Sequence, residues 1–196
     1  MPVVEDFFVA ASNFREIEEL QQKLRDVVSA GFDANVSDDF GETALMLAAK
    51  NNQKDVVEFL LENGADPFLK AGNDYAAIHY AANNGHLEIV KLFAQNSPEI
   101  LELAGPEGWN PLHFAASCGY AEIVKFLILQ TVDTSKTTES GHKALDLAGS
   151  EEVSDWLKSQ ETDLGVRNVL QKSVSCSALS AQRLAGVSLT LGRESF

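Results

Sequence analysis

Apolar residues recur along this chain at the spacing that places them on one side of an α-helix. Three groups show the pattern most clearly: Val56, Val57, Leu60 and Leu61; Ile89, Val90, Leu92 and Phe93; and Ile123, Val124, Phe126 and Leu127. Each group predicts a helix with one buried side and one polar side. Because one such helix cannot bury its apolar side alone, the pattern predicts a core that forms when several copies stack.

A second, shorter helix is predicted before each of these groups, and it contains two adjacent alanines. Three such pairs recur along the chain: Ala48/Ala49, Ala81/Ala82 and Ala115/Ala116. The first two pairs are 33 residues apart, and the second and third are 34 residues apart. Ala10/Ala11 and Ala148 continue the series toward the two ends of the chain. Paired small residues allow neighbouring helices to approach closely, and a fixed period of this length indicates a repeat architecture.

The residues around these helices fit the same arrangement. Thr43 and Asn110 are suited to cap the first helix of their copies, and Pro111 suits the first helical position, where no backbone donor is needed. We expect positive φ angles in the turn between the two helices, at Asn52, Gly85 and Gly119.

The stretches PLHFAA at 111–116 and GHLEIVKL at 85–92, together with the period of 33, resemble the ankyrin repeat. The resemblance covers residues 7–158 and implies an all-α ankyrin repeat solenoid, in which each repeat is a β-turn finger followed by two stacked antiparallel helices. The predicted order is an N-terminal capping repeat at 1–37, repeats at 38–70, 71–104 and 105–137, a shortened C-terminal capping repeat at 138–161, and a C-terminal helix or mobile tail at 162–196.

The charge of the chain narrows the choice of partners. The sequence contains 29 acidic and 15 basic residues, which gives a formal net charge of -14. Such a surface repels phosphate backbones and anionic membranes and attracts basic proteins, so we expect neither a nucleic acid nor a membrane partner. The N-terminus has no signal-peptide pattern, apolar runs are short, and two cysteines lie far apart. We therefore expect a soluble, reduced protein in the cytoplasm or nucleus.

His113 and Cys118 are the residues that most suggest catalysis, but helix geometry separates them. They are five positions apart and hence roughly 140° around a helix axis, which prevents the thiol from reaching the imidazole. His79 occupies the place in the preceding copy that His113 has in its own, and the family resemblance implies that both histidines bridge backbone groups of adjacent turns. The sequence has no zinc-site spacing, P-loop or nucleophile motif, so we predict no enzyme activity, no cofactor and no metal.

The family resemblance implies that a partner protein contacts the fingers and the exposed side of the first helices. The candidate binding residues are Phe40, Glu42, Asn73, Tyr75, Glu107, Trp109 and His142 on the fingers, and Lys50, Asn83, Asn84 and Ser117 on the helices. Tyr75 and Trp109 are residue types that often dominate interfaces. Alternatively, each ring packs against the next finger. Glutamates on the second helices, such as Glu58 and Glu122, are expected to form a solvated outer face.

The sequence thus predicts an acidic protein-binding module that acts as an adaptor, scaffold or inhibitor. Its partner is expected to be a protein with a basic patch, and a monomer is favoured over an oligomer. The alternative is a structural or self-associating protein that uses the C-terminal segment.

Overall fold

The structure, a computed structural model, describes residues 33–160. The chain divides after Ser154 into two units, and residues 155–160 are the described part of the second. The described residues form the helices α1 (Ala44–Lys50), α2 (Lys54–Glu62), α3 (Ala77–Asn83), α4 (Leu87–Asn96), α5 (Pro111–Ser117), α6 (Ala121–Leu129) and α7 (151–160), with 3-10 turns at Pro98–Glu102 and Pro106–Gly108. Bridges at Ser37–Thr43 and Thr137–Lys143 are the β pairing in this part of the chain. The predicted all-α fold is therefore confirmed.

Most of the two predicted end segments cannot be compared with the structure. Residues 1–32, which contain nearly all of the predicted N-terminal capping repeat, lie outside the described residues, and so do residues 161–196. The boundaries proposed for the repeats and for the C-terminal segment stay predictions.

Two of the first helices, α1 and α5, begin at the caps that the sequence predicts. The backbone N–H of Met46 donates to Thr43 Oγ1 at 3.4 Å, and that of His113 donates to Asn110 Oδ1 at 3.1 Å. Pro111 is the first residue of α5. These caps satisfy backbone donors that the first helical turn leaves without a partner.

The helices stack in two layers. In one layer α3 contacts α1 and α5, and in the other α4 contacts α2 and α6. The described alanine pairs lie in the first layer and are fully buried: Ala48/Ala49, Ala81/Ala82 and Ala115/Ala116. The core between the layers contains large apolar side chains with almost no exposed surface, including Leu45, Ile78, Phe93, Leu112 and Ile123.

Three residues that we placed on the buried side of the second helices are only half-buried. Val56, Val57 and Leu60 are buried as expected, whereas Leu61 is partly exposed, as are Leu92 and Phe126. At 100° per residue, these three side chains lie roughly 90–110° from the centre of the buried side. They flank the core and do not fill it.

Four tight fingers precede or follow the helix pairs in the described part of the chain. Each is closed by a backbone hydrogen bond across five residues: Asp38 N–H to Glu42 O (3.0 Å), Ala71 to Tyr75 (2.9 Å), Gly105 to Trp109 (2.7 Å) and Thr138 to His142 (2.9 Å). We name them fingers 1 to 4, at 38–42, 71–75, 105–109 and 138–142. Their equal construction sets their side chains in register along the array.

Neighbouring fingers are joined by single backbone hydrogen bonds, with one exception. Gly72 N–H of finger 2 donates to Phe40 O of finger 1 at 3.0 Å, and Glu139 N–H of finger 4 donates to Glu107 O of finger 3 at 2.9 Å. The equivalent residue of finger 3 is Pro106, which has no N–H to donate to finger 2. Fingers 2 and 3 are therefore the pair without this bond among the described residues.

The turns between paired helices have the expected backbone conformation. The φ angles of Asn52, Gly85 and Gly119 are 59°, 79° and 76°. At Gly85 the space is also restricted, because a Cβ atom there would lie 2.8 Å from the ring of Tyr120.

Replacing Gly85 by valine is expected to lower the free energy of unfolding by about 1–3 kcal/mol, because a β-branched residue is strained at positive φ. Equilibrium unfolding in urea measures the loss. Gly64→Val is the matched control, since Gly64 has a φ of 87° but a Cβ atom at this position would meet no other atom within 4 Å. The Gly85 variant should be the less stable of the two, and a Gly85 variant as stable as the wild type contradicts the assigned turn.

Thr131 offers the opposite experiment. It has a φ of 64° in the turn after α6, at the place that Gly64 occupies after α2, and its side chain is exposed. Thr131→Gly should raise the free energy of unfolding by about 1 kcal/mol, because glycine adopts this conformation without steric strain. Thr131→Ala keeps a Cβ atom, so its free energy of unfolding should rise by less in the same urea experiment. An equal rise for both variants would show that the positive φ at Thr131 is not the source of strain.

Candidate functional site

A cleft of about 350 Å³ opens between fingers 2 and 3 and the first helices that follow them. It is lined by Tyr75, Asn83, Pro106, Glu107, Trp109, Phe114 and Ser117. Five of these seven residues are among the predicted binding residues. The cleft lies at the joint where Pro106 leaves the two fingers without a connecting hydrogen bond.

Three aromatic rings form most of the apolar part of the cleft. Phe114 on α5 is only 5% exposed, and its ring centroid lies 5.3 Å from that of Tyr75 and 5.1 Å from that of Trp109. The Phe114 ring is inclined by 43° to the first and 44° to the second. Tyr75 and Trp109 remain half-exposed. The rings therefore form a concave apolar surface with Phe114 at its base.

Tyr75 and Trp109 pack on helices, which answers part of the question that the sequence left open. Tyr75 stacks on Tyr80 of α3 at 5.0 Å and contacts Phe114, while Trp109 contacts His113 and Phe114 of α5. Burial, with smaller effects of the nearby Cys118 and Glu107, raises the pKa of Tyr75. Each ring thus has one part held by the scaffold and another part open to a partner.

A polar network lies next to this cleft, toward finger 1. The hydroxyl of Tyr80 donates to Glu42 Oε1 at 2.6 Å, and Asn73 Nδ2 donates to the same hydroxyl oxygen at 3.3 Å. Lys50 Nζ lies 3.6 Å from Glu42 Oε1 and 5.2 Å from the centre of the Tyr80 ring. Burial and the hydrogen bond to Glu42 raise the pKa of Tyr80 to about 12. The network thus places the Lys50 ammonium beside the Glu42 carboxylate and the Tyr80 ring.

Asparagines connect the exposed ends of the first helices. Asn84 Nδ2 donates to the backbone carbonyl of Lys50 at 3.0 Å, and Asn83 Nδ2 donates to Asn84 Oδ1 at 3.3 Å. The Cys118 thiol, at 3.7 Å from Asn83 Oδ1, extends this row to α5, where Ser117 also lies. The first-helix residues of the predicted surface therefore form one continuous polar row.

Two predicted finger residues lie away from the cleft. Phe40 is 78% exposed at the tip of finger 1, and His142 is exposed on finger 4. The structure brings neither residue to the rings of Tyr75, Phe114 and Trp109. Their assignment to a binding surface stays a prediction.

Phe114 and Pro106 are the cleft residues that we did not identify in the sequence. Phe114 has a signal in retrospect, because the aromatic Tyr80 stands at the equivalent place of the preceding repeat. The sequence alone does not reveal the effect of Pro106. Its missing N–H matters only because Gly72 and Glu139, at the equivalent places, donate a hydrogen bond to the preceding finger.

The two buried histidines have the scaffold role that the sequence predicts. His79 Nδ1 accepts from the Ala76 N–H at 2.9 Å, and its Nε2 donates to Leu103 O at 2.9 Å. His113 makes the equivalent bonds with Asn110 N–H and Lys136 O, both at 3.2 Å. Burial lowers the pKa of His79 to about 4 and also lowers the pKa of His113. Both rings are neutral at physiological pH.

The glutamates of the second helices face solvent, as predicted. Glu58 and Glu122 are exposed, and Glu122 shares the ammonium of Lys125 with Glu152. Within residues 33–160 there is no group of three His, Cys, Asp or Glu side chains that could hold a metal ion. In the same range, no helix is both long and apolar enough to cross a bilayer.

Comparisons with known proteins agree with the repeat pattern. A family model described as ankyrin repeats in three copies matches residues 7–104, and a second, described as ankyrin repeats in many copies, matches residues 94–148.

Individual relatives match the chain over part of their length. A mitochondrial disaggregase of Bos taurus is 30% identical over 145 residues, 72% of this chain and 21% of that protein. The transient receptor potential cation channel subfamily A member 1 of Homo sapiens is 35% identical over 71 residues, 36% of this chain and 6% of the channel. The nuclear factor NF-kappa-B p105 subunit of Rattus norvegicus is 38% identical over 74 residues, 38% of this chain and 8% of that protein. The chain spans about a fifth or less of the length of these relatives.

The depressed pKa of His79 predicts a specific dependence of stability on pH. In the unfolded chain the imidazole titrates near 6.5, so the unfolded state binds more protons than the folded state between pH 6.5 and about 4. Stability should therefore fall as the pH decreases through this window, by up to about 3 kcal/mol from His79. The measurement is urea unfolding of the wild type and of His79→Gln at pH about 7.5 and about 5.

The variant should lose less stability between the two pH values than the wild type, because it lacks the titrating group. An NMR titration of the His79 ring provides an independent check. Protonation of this ring near pH 6.5 in the folded protein would show that it is not held neutral by burial.

Proposed function

Because the chain belongs to the ankyrin repeat family, whose repeats generally are protein–protein interaction modules, we propose that it binds a partner protein through its fingers and the exposed side of its first helices. The observation that carries this proposal is the cleft between fingers 2 and 3. It combines half-exposed Tyr75 and Trp109 with a buried aromatic base and a charged rim at Glu107. Desolvated aromatic anchors within a polar rim are the usual form of an interface centre.

The partner in this proposal carries a basic patch. The formal net charge of -14 favours association with cations over the whole surface. Near the cleft, Asp74, Glu107 and Glu139 are exposed on three successive fingers. Complementary charge speeds the encounter of two proteins more than it strengthens the final complex.

The proposal assigns no catalysis to the chain. Ankyrin repeats are typically non-enzymatic interaction modules. We accordingly propose an adaptor, scaffold or inhibitor of the cytoplasm or nucleus that acts as a monomer.

Photo-crosslinking tests which face the partner uses. A benzophenone amino acid replaces Asn73, which is exposed on finger 2, or Glu58, which is exposed on the outer face of α2. The proposal expects partner peptides, identified by mass spectrometry, to crosslink from position 73. Partner crosslinks that form only from position 58 would place the interface on the outer face and contradict the proposal.

Once that partner is identified, Trp109→Ala should accelerate its dissociation and reduce the binding free energy by on the order of 2 kcal/mol, the usual effect of removing an aromatic anchor.

Salt at physiological strength should instead slow association, because exposed charges more than roughly 8 Å apart are then screened. Surface plasmon resonance separates the two rates. Glu58→Ala is the control variant and should bind like the wild type. The proposal is contradicted if Trp109→Ala binds like the wild type while Glu58→Ala loses binding.

A further inference from the structure

Two groups of side chains occupy equivalent places in neighbouring repeats, and we name the first of these groups the first groove. The first is the polar network of Glu42, Lys50 and Tyr80, and the second is the cleft. Their residues correspond along the repeat: the places of Glu42, Lys50 and Tyr80 are taken one repeat later by Tyr75, Asn83 and Phe114. The two grooves can therefore be compared position by position.

The first groove contains its own cation. Lys50 places its ammonium 5.2 Å from the centre of the Tyr80 ring and 3.6 Å from a carboxylate oxygen of Glu42. An ammonium at this distance from a ring is attracted by the negative charge of the π face, and the carboxylate adds a direct ionic attraction. The aromatic ring, the carboxylate and the cation of the first groove therefore all come from this chain.

The cleft also has an aromatic ring and a carboxylate, which Glu107 supplies from a different place in the repeat than Glu42, but it lacks the cation. Phe114 stands where the first groove has Tyr80, with the additional rings of Tyr75 and Trp109 beside it. Asn83 stands where the first groove has Lys50, and among the residues that line the cleft Glu107 is the charged one. No ion pair within residues 33–160 involves Glu107.

The scaffold holds Glu107 in position at the rim. Its backbone has a φ of 53°, and its carbonyl accepts the hydrogen bond from Glu139 that joins fingers 3 and 4. These contacts hold the backbone of Glu107 at the rim of the cleft, and its exposed carboxylate forms no ion pair with a cation of the described part of the chain. A cation that enters the cleft would meet aromatic faces and this carboxylate together.

We infer that the cleft binds an arginine side chain of the partner protein, which supplies the cation that Lys50 supplies in the first groove. This inference rests on the proposed function, since it specifies what the partner inserts. A guanidinium is planar, stacks on aromatic rings, is more weakly hydrated than an ammonium, and can donate two parallel hydrogen bonds to a carboxylate. A volume of about 350 Å³ is at the lower end of ligand sites, which suits one side chain.

The test uses the full-length chain and short synthetic peptides of glycine and serine with a single central residue. The central residue is arginine, lysine, or citrulline, which has the shape of arginine but no charge. Binding is followed through the indole N–H resonance of Trp109. Trp156, which does not line the cleft, is the internal control.

The arginine peptide should shift the Trp109 resonance saturably, with a dissociation constant in the millimolar range, and should leave Trp156 unchanged. The lysine peptide should bind more weakly and the citrulline peptide should give no saturable shift. Equal or tighter binding of lysine, binding of citrulline, or the absence of a saturable shift with arginine would each overturn the inference.

Two variants test the roles assigned to the rim and to the empty cation position. Glu107→Gln should weaken binding of the arginine peptide by at least about threefold, and Asn83→Lys by about tenfold, because a lysine at 83 would fill the cleft as Lys50 fills the first groove. Glu58→Gln on the outer face changes the net charge by the same amount as Glu107→Gln and should bind like the wild type. Far-UV circular dichroism checks the folding of each variant; if Asn83→Lys is unfolded, Glu107→Gln against Glu58→Gln decides.

The result also separates this inference from the proposed function. If the arginine peptide fails to bind while the partner still crosslinks from position 73, the partner uses this face without an arginine in the cleft. If the partner crosslinks only from position 58, the proposed function itself is wrong, whatever the peptide does.

Discussion

The close approach of the first helices at their paired alanines is the constraint on which the rest of the structure depends. The side chains of Ala48, Ala81 and Ala115, and of the alanines that follow them, are fully buried between α1, α3 and α5. Packed helices of this kind are separated by about 8–10 Å, and small residues hold them at the short end of that range. The fingers that lead into these helices are thereby brought close enough to form backbone hydrogen bonds with one another. A larger side chain at these positions would separate both the helices and the fingers.

The same spacing allows the histidine bridges. His79 and His113 each reach from the start of a first helix to a carbonyl of the chain that approaches the next finger, at Leu103 and Lys136. A neutral imidazole can do this because it has one acceptor and one donor nitrogen on opposite sides of the ring. Packing and hydrogen bonding therefore reinforce each other at every joint where such a histidine stands.

Much of the fold could be predicted from the sequence because its determinants are local and periodic. The alanine pairs, the caps at Thr43 and Asn110, and the positive φ at Gly85 each follow from a residue type at a fixed place in the repeat. Burial on the second helices could not be predicted to the same degree. Apolar character alone does not tell how far a side chain lies from the centre of the helix face; Leu61 and Phe126 flank the core because they lie roughly 90–110° from that centre. The candidate site was predictable residue by residue, but the meeting of Tyr75, Phe114 and Trp109 depends on contacts between repeats and on a bond that Pro106 cannot make.

The equivalence of Lys50 and Asn83 has a consequence for how such a protein diversifies. Neither side chain caps a helix or fills the core, so a change at either position mainly alters what a groove offers to solvent, together with the polar contacts to Glu42 or to Asn84 and Cys118. The two grooves are coupled, because Tyr75 lines the cleft and also stacks on Tyr80 of the first groove. Residues that share a partner do not act additively, so a substitution in one groove also alters what the neighbouring groove offers to a partner.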